Sequence, residues 1–205
     1  MTASSSPASM RARASAMAAS RLTGRAYAVL SGPKIGGDWI IPNRRRCAYR
    51  PWMDTATRSE LIRRYREGYA AVEAALEGIT PAELDRTGSD GWTARQVVHH
   101  LADSEMTSAL RLRKLIAEQN PVIWGYDEEL YAQKLWYRER PLEASLLALR
   151  AARESTATIL DHLAEEDWAR QGWHTESGPY SVERWLEIYA AHAHDHAAQI
   201  RRARG

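Results

Sequence analysis

From Met53 onward the apolar positions recur every three or four residues, the spacing of one face of an α-helix. Leu61, Tyr65, Tyr69, Val72 and Leu76 form the first stripe, and Thr57 to Glu60 has capping-box spacing ahead of it. Thr80-Pro81-Ala82-Glu83 repeats that spacing with Pro at the first helical position, and predicts a short helix. A second long helix opens after Gly91, at Thr93 to Gln96, and runs to about Glu118, where Asn120-Pro121 stops it. Residues 121–140 read as an aromatic and acidic connection holding a short helix. Pro141 begins the third long helix, with Leu142, Leu146, Leu149, Thr156, Leu160 and Leu163 on its buried face. Residues 165–180, with Gly172 and the Gly178-Pro179 pair, read as loop. Ser181 caps a fourth helix that runs to about Arg202. Nowhere does the pattern alternate with period two for long enough to predict a sheet. Four amphipathic helices of about 18 to 25 residues predict an all-α fold, a four-helix bundle.

Residues 1–52 lack this patterning and differ in charge. They hold nine Lys or Arg and one acid, Asp38, whereas residues 53–205 carry a net charge of −6. Three readings fit the basic segment: a disordered arm whose Arg44-Arg45-Arg46 run touches acidic surfaces, an Arg- and Ser-rich targeting peptide, or sequence upstream of a true start at Met53. The third is favoured, because patterned sequence begins directly after Met53. The expected organisation is a poorly structured extension over 1–52 and a helical domain over 53–205.

The acidic balance of the domain argues against nucleic-acid binding. A single cysteine, Cys47, excludes an intramolecular disulfide framework and a multi-cysteine zinc site. No run of about 18 apolar residues predicts a membrane span, and no apolar region follows the basic residues as a secretory signal requires. A cytoplasmic location is expected.

All seven histidines lie in the second part, three of them in His192-Ala193-His194-Asp195-His196. With His192 at 0° on a helical wheel, the buried face of the fourth helix centres near about 70°. His196 then falls at about 40°, so both face inward or lie at the edge, and His194 at about 200° faces solvent. Two inward imidazoles one turn apart can share one metal ion; the alternative is a pair of hydrogen-bonded core histidines. The second helix offers His99 or His100 as a third ligand, and periodicity favours His100 only weakly. Ser104 lies between His100 and the buried face.

The string Gly91-Trp92-Thr93-Ala94-Arg95-Gln96-Val97-Val98-His99-His100-Leu101-Ala102-Asp103-Ser104-Glu105-Met106 resembles the first motif of the DinB-like superfamily. It is most similar to the YfiT-like group of proposed metal-dependent hydrolases, which includes bacillithiol S-transferases. Tyr189 to Ile200 resembles that family's closing motif, and Gly125-Tyr126-Asp127-Glu128 also resembles this group. The resemblance covers about residues 55–203. It implies an up-down-down-up four-helix bundle and a divalent metal held by one His of the second helix and two of the last. By motif position these are His100, His192 and His196. Relatives often form homodimers, so a homodimer is expected.

Three imidazoles leave at least one metal position open, the layout of a catalytic site. Imidazole suits Zn, Ni, Fe or Cu, with Zn or Ni foremost. The open position can activate a water for hydrolysis or hold a low-molecular-weight thiol for transfer to an electrophile. The glutamate of an HExxH motif is absent, and Asp103 and Asp195 point away from the apolar faces. That favours thiol transfer, where the attack step needs no separate base. Gln199 lies one turn beyond His196 and can orient a ligand. The connection at 121–140 suits a lid, with Asp127 and Glu128 placed to hold an ammonium group of the thiol. The expected partner is a small-molecule substrate. The other function class is a non-catalytic helical bundle, a stress-response binding module or dimeric scaffold.

Overall fold

The computed structural model describes residues 53–205. Residues 1–52, and with them the three readings of the basic segment, lie outside the described residues. Four long helices dominate: α1 (Thr55–Leu76), α3 (Ala94–Ala117), α5 (Glu143–Leu160) and α7 (Val182–Arg204). Between them lie α2 (Pro81–Leu84), β1 (Val122–Ile123), α4 (Glu128–Lys134), α6 (Glu165–Trp168), β2 (Gln171–His174) and β3 (Gly178–Ser181).

The capping boxes at Thr80 and Thr93 form, each with its Glu83 or Gln96 side chain returned to the cap N–H. Ser181 Oγ accepts from Arg184 N and starts α7. The first cap differs from expectation. Asp54, not Thr57, ends the non-helical chain, and its carboxylate accepts from Thr57 N at 2.7 Å. Glu60 is then free to pair with Arg63 on the exposed face. Pro141 also lies just outside its helix, which begins at Glu143.

The helices pack in a ring, with α1 beside α7 and α5, and α3 beside the same two. Arg58 lies near Glu183 at one end, and Arg204 donates to the Ala75 carbonyl at the other, so α1 and α7 are parallel. His99 meets Ser145 and, further along, Arg113 meets Thr156, so α3 and α5 are parallel too. Arg66 pairs with Asp161 and Arg150 lies over Tyr69, so α1 and α5 are antiparallel. Trp185 donates to the Ser108 carbonyl near the start of α7 and the end of α3, which run antiparallel. This is the up-down-down-up order.

Two apolar clusters fill the bundle. One gathers Tyr65, Leu112, Trp168, Trp185 and Leu186; the other gathers Val72, Val98, Leu101, Leu149 and Ile200. Glu105 on α3 and Arg153 on α5 fall between the clusters along their helices, both buried, and pair at 2.5 Å. Tyr65 Oη donates to Glu105 at 2.5 Å, and Arg153 donates to the Tyr65 and Tyr189 carbonyls. The Arg153 guanidinium also covers the Tyr65 ring at 4.0 Å. Gly68 makes room for it: a Cβ there would sit 2.5 Å from the guanidinium and 2.8 Å from Ala193 Cβ.

A small sheet overturns the loop expected at 165–180. β2 and β3 form an antiparallel hairpin, and β1 adds in parallel, with Val122 opposite Trp173 and Ile123 opposite His174. Strands of two to four residues are too short to show a period of two, and this hid them. Pro179 is tolerated because β3 is an edge strand. Gly172 is required, since a Cβ there would sit 2.3 Å from the Pro121 carbonyl oxygen that accepts from Trp173 N.

Removing one partner of a buried, hydrogen-bonded ion pair strands the other charge. Glu105→Ala is therefore expected to lose about 3–5 kcal/mol in urea unfolding, and the paired replacement Glu105→Leu with Arg153→Met much less. Equal losses in the two proteins would show that the charges are not coupled.

Candidate metal centre

The two apolar faces of α3 and α7 meet antiparallel, and three imidazoles come together where they do. His100 projects from the second turn of α3; His192 and His196 project from successive turns of α7. Their ring centroids lie 4.5 to 5.3 Å apart, and one ligand atom from each falls within 4.8 Å of the others. Among the described residues no other group of three His, Cys, Asp or Glu meets that condition. His100 and His192 each keep a buried Nδ1 with no protein partner. Three imidazoles with nitrogens left over is a donor set that fits a borderline-soft divalent ion.

The third ring is oriented through a chain of hydrogen bonds. His196 Nδ1 donates to Gln199 Oε1 at 2.5 Å, and Gln199 Nε2 donates to Asp90 at 2.8 Å. Asp90 can only accept, so the amide turns its NH2 to it and its oxygen to His196. The imidazole proton is thereby fixed on Nδ1, and the lone pair stays on Nε2 for a metal. Trp92 N, donating to the other Asp90 oxygen, anchors the chain of bonds.

Burial pushes His100 down to about 4, with His196 adding to the effect. Burial holds His192 well below the ordinary imidazole range, and His196, His100 and Arg153 add to it. Both rings are thus kept neutral, the form that binds metal.

His99, the other candidate on α3, is fully buried and already satisfied. Nδ1 meets Ser145 Oγ at 2.8 Å and Nε2 meets the Arg140 carbonyl at 3.1 Å, which pins the start of α5 to α3. His194 does not point to solvent as expected. It is half-buried, with Nε2 bonded to the Arg64 carbonyl across the close α1–α7 contact. Asp103 accepts from Tyr137 Oη at 2.5 Å, and Asp195 is exposed.

A cavity of about 240 Å³ opens beside His192. Ser104 and Glu128, both named from the sequence as pocket candidates, lie in its lining. Asp127 does not; its carboxylate caps α4 by accepting from Leu130 N at 2.9 Å. Asp90, Arg111, Tyr126 and His174 were missed. Arg111 was legible: continuing the α3 wheel puts it at about 320°, between His100 and Ser104. Asp90, Tyr126 and His174 lie in connections, where no periodicity points.

A sequence profile of the DinB superfamily matches residues 53–200. The chain belongs to the DinB superfamily. A protein from Oceanobacillus iheyensis is 43% identical over 112 residues, which cover 55% of this chain and 64% of that protein. YfiT of Bacillus subtilis is 33% identical over 133 residues, 64% of this chain and 75% of its own. Both carry the name "putative metal-dependent hydrolase". The match thus spans just under two thirds of the first and three quarters of the second. The solved structure of Bacillus subtilis YfiT superposes with a TM-score of 0.69 at 30% identity, covering 74% of this chain and 87% of that one. Its four-helix topology is described as unusual, in keeping with the up-down-down-up order of this DinB domain.

Breaking the bond that orients a metal-ligating His costs about 10–100-fold in affinity. Gln199→Ala is expected to weaken zinc binding by that factor in a chelator competition, and Asp90→Asn by less. Acid supplies a second check. Imidazoles of the unfolded chain titrate near about 6.5, above the folded values of His100 and His192, so the unfolded state binds more protons below that pH. Stability present above about 6.5 should be lost as pH falls towards about 4. The metal-free protein is expected to melt at a lower temperature at pH 5 than at pH 7; an unchanged Tm would contradict it.

Proposed function

We propose that the protein is a metal-dependent enzyme in which His100, His192 and His196 hold one divalent ion, Zn or Ni, beside a small-molecule cavity. The observation that carries this reading is the convergence of three imidazoles, two of them with unpartnered buried nitrogens, one of which, His192, lines that cavity. The names of the DinB relatives support metal dependence. A divalent ion held by three neutral imidazoles keeps a coordination position open and lowers the pKa of a water or thiol bound there. Gln199 and Asp90 keep the His196 lone pair turned to the centre. Ser104 and Tyr126 shape the space in which a substrate meets it.

The choice of nucleophile turns on proton transfer. No carboxylate joins the three imidazoles among the described residues. Asp103 is engaged by Tyr137, Asp127 caps α4, and Asp90 stands behind Gln199. Without a placed base, a low-molecular-weight thiol is the better nucleophile, and the preferred reaction is attack of its sulfur on an electrophilic carbon, forming a new C–S bond to the intact thiol while the displaced leaving group departs with the thiol proton. Hydrolysis is the second reading, favoured by the relatives' names, and Glu128 on the cavity wall is then the base to test.

Elemental mass spectrometry of purified protein is expected to find about one divalent ion per chain, lost in His192→Ala. Chelation should abolish turnover and zinc or nickel restore it. Thiol-dependent turnover unaffected by Glu128→Gln fits S-transfer; thiol-independent turnover slowed by that change fits hydrolysis. A wild-type protein that takes up neither metal would sink the catalytic reading.

A further inference from the structure

Two polar side chains on the cavity wall, Arg111 and Tyr126, each keep one buried atom without a hydrogen bond. Arg111 donates through one terminal nitrogen to Tyr189 Oη at 3.0 Å and through the other to the Trp124 carbonyl at 2.6 Å. These bonds fix the guanidinium plane. Its Nε is buried and donates to no protein group, as is true of Arg58, Arg140 and Arg153 as well; Arg111 differs from them in lining the cavity beside His192. No carboxylate pairs with Arg111 among the described residues, although the chain pairs many of its other arginines. Tyr126 lies with its ring centroid 5.9 Å from the guanidinium carbon, and its buried hydroxyl has the Ser104 hydroxyl as a neighbour but no hydrogen bond of good geometry. Both residues line the cavity that reaches His192.

A buried guanidinium N–H and a buried hydroxyl each lose hydrogen bonding to water and, if left unmet, cost stability. Most buried polar groups in evolved interiors are hydrogen-bonded, so two exceptions lining one cavity ask what completes them. A carboxylate has the planar geometry and lone pairs to do so. The cavity is small, about 240 Å³, below the usual range for drug-sized ligands. Glu128 and Glu176, the carboxylates on its wall, are exposed, so the interior is cationic and the mouth acidic. That arrangement repels a phosphate dianion more strongly than a carboxylate, and tolerates an ammonium group at the mouth.

We propose that the cavity recognises the carboxylate of a small organic acid, with Arg111 and Tyr126 as the specificity-determining residues and the reacting end of the molecule turned towards His100, His192 and His196. The proposal names the substrate class of the site described above and rests on that reading for the reaction, but not for the binding. Sequence spacing supports the placement: His100, Ser104 and Arg111 share one stripe of α3, so anchor and reaction centre are rigidly related.

Saturation-transfer NMR on the full chain, metal-free and zinc-loaded, tests it with butyrate, butanol, butylamine and inorganic phosphate. Butyrate is expected to bind the metal-free protein, and butanol and phosphate not to. Arg111→Gln should weaken butyrate at least about tenfold, and Tyr126→Phe about three- to tenfold, with metal content unchanged in both. His196→Ala, which removes a histidine outside the cavity lining, should lose metal and keep butyrate. Should Arg111→Gln fail to fold, Arg111→Lys and Tyr126→Phe carry the test, since each leaves the packing and removes part of the donor set. Butyrate bound no better than butanol, phosphate bound in its place, or butyrate binding indifferent to both variants would overturn the proposal while leaving the metal centre intact. Wild-type protein that binds butyrate through Arg111 but takes up no metal would uphold it and overturn the metal centre instead.

Discussion

One buried ion pair joins all four long helices. Glu105 stands on α3 and Arg153 on α5; Tyr65 of α1 donates to the first, and carbonyls of α1 and α7 accept from the second. Replacing such a pair by apolar groups is often neutral or stabilising, so its value here is not simply stability. What it supplies is register. A guanidinium has five N–H donors in a rigid fork, and each partner it finds fixes one helix relative to another. A bundle of Leu, Ala and Val can slide by a turn at modest cost; one with a charge between its two apolar clusters cannot. The Tyr189 carbonyl that Arg153 reaches lies three residues before His192. The same contact that sets the register of α7 thereby sets the height of its two histidines against His100 on α3.

The order of the helices then decides where the cavity lies. Because α3 and α5 are parallel neighbours, the chain must travel back along the bundle between them, and residues 118–142 make that return. The segment from α5 to α7 crosses the bundle diagonally. The two connections meet as β1 and β2, and the β2–β3 hairpin projects over the α3–α7 groove. Gly125, Tyr126 and Glu128 come from the first connection and His174, Glu176 and Ser177 from the second; together they roof the cavity beside His192. A simple up-down-up-down bundle with short hairpin loops needs no such return segment. The topology is thus what supplies walls beside a three-histidine cluster that would otherwise sit in an open groove.

The long helices were legible because each buries an apolar stripe and most begin at a recognisable cap. The His192–His196 pair was legible for the same reason, as two polar residues on an otherwise buried face. His100 over His99 was not decided by periodicity. Both are buried, and the difference is whether the ring nitrogens find protein partners, which depends on Ser145 and the Arg140 carbonyl from another part of the chain. Ser145 and Arg153 themselves were hidden, since polar residues on a helix read as surface until a buried partner is known. The three-stranded sheet was hidden by the shortness of its strands. Asp90 and Tyr126 lie where no repeat exists, and their roles arise only when distant segments meet. What a sequence conceals here is the polar interior, because satisfaction of a buried polar group is a property of pairs.

That polar interior divides into two kinds. Glu105, His99 and Asp103 have partners in the protein and hold elements together, as do the terminal nitrogens of Arg153, although its Nε is buried and unmet. His100, His192, Arg111 and Tyr126 each keep a buried atom unmet, and the cavity links three of them, with His100 packed ring to ring against His192. Leaving such atoms unpaired is costly in a folded protein, and the cost is recovered when a ligand completes them. The distinction gives a physical criterion for function that does not depend on a motif. In this bundle the satisfied polar groups specify the fold. Arg58, Arg140 and Arg153 also keep an unmet nitrogen while bound to other elements; the remaining unmet imidazole, Arg111 and Tyr126 atoms gather at the three histidines and the cavity wall, where the proposed metal and substrate would be received.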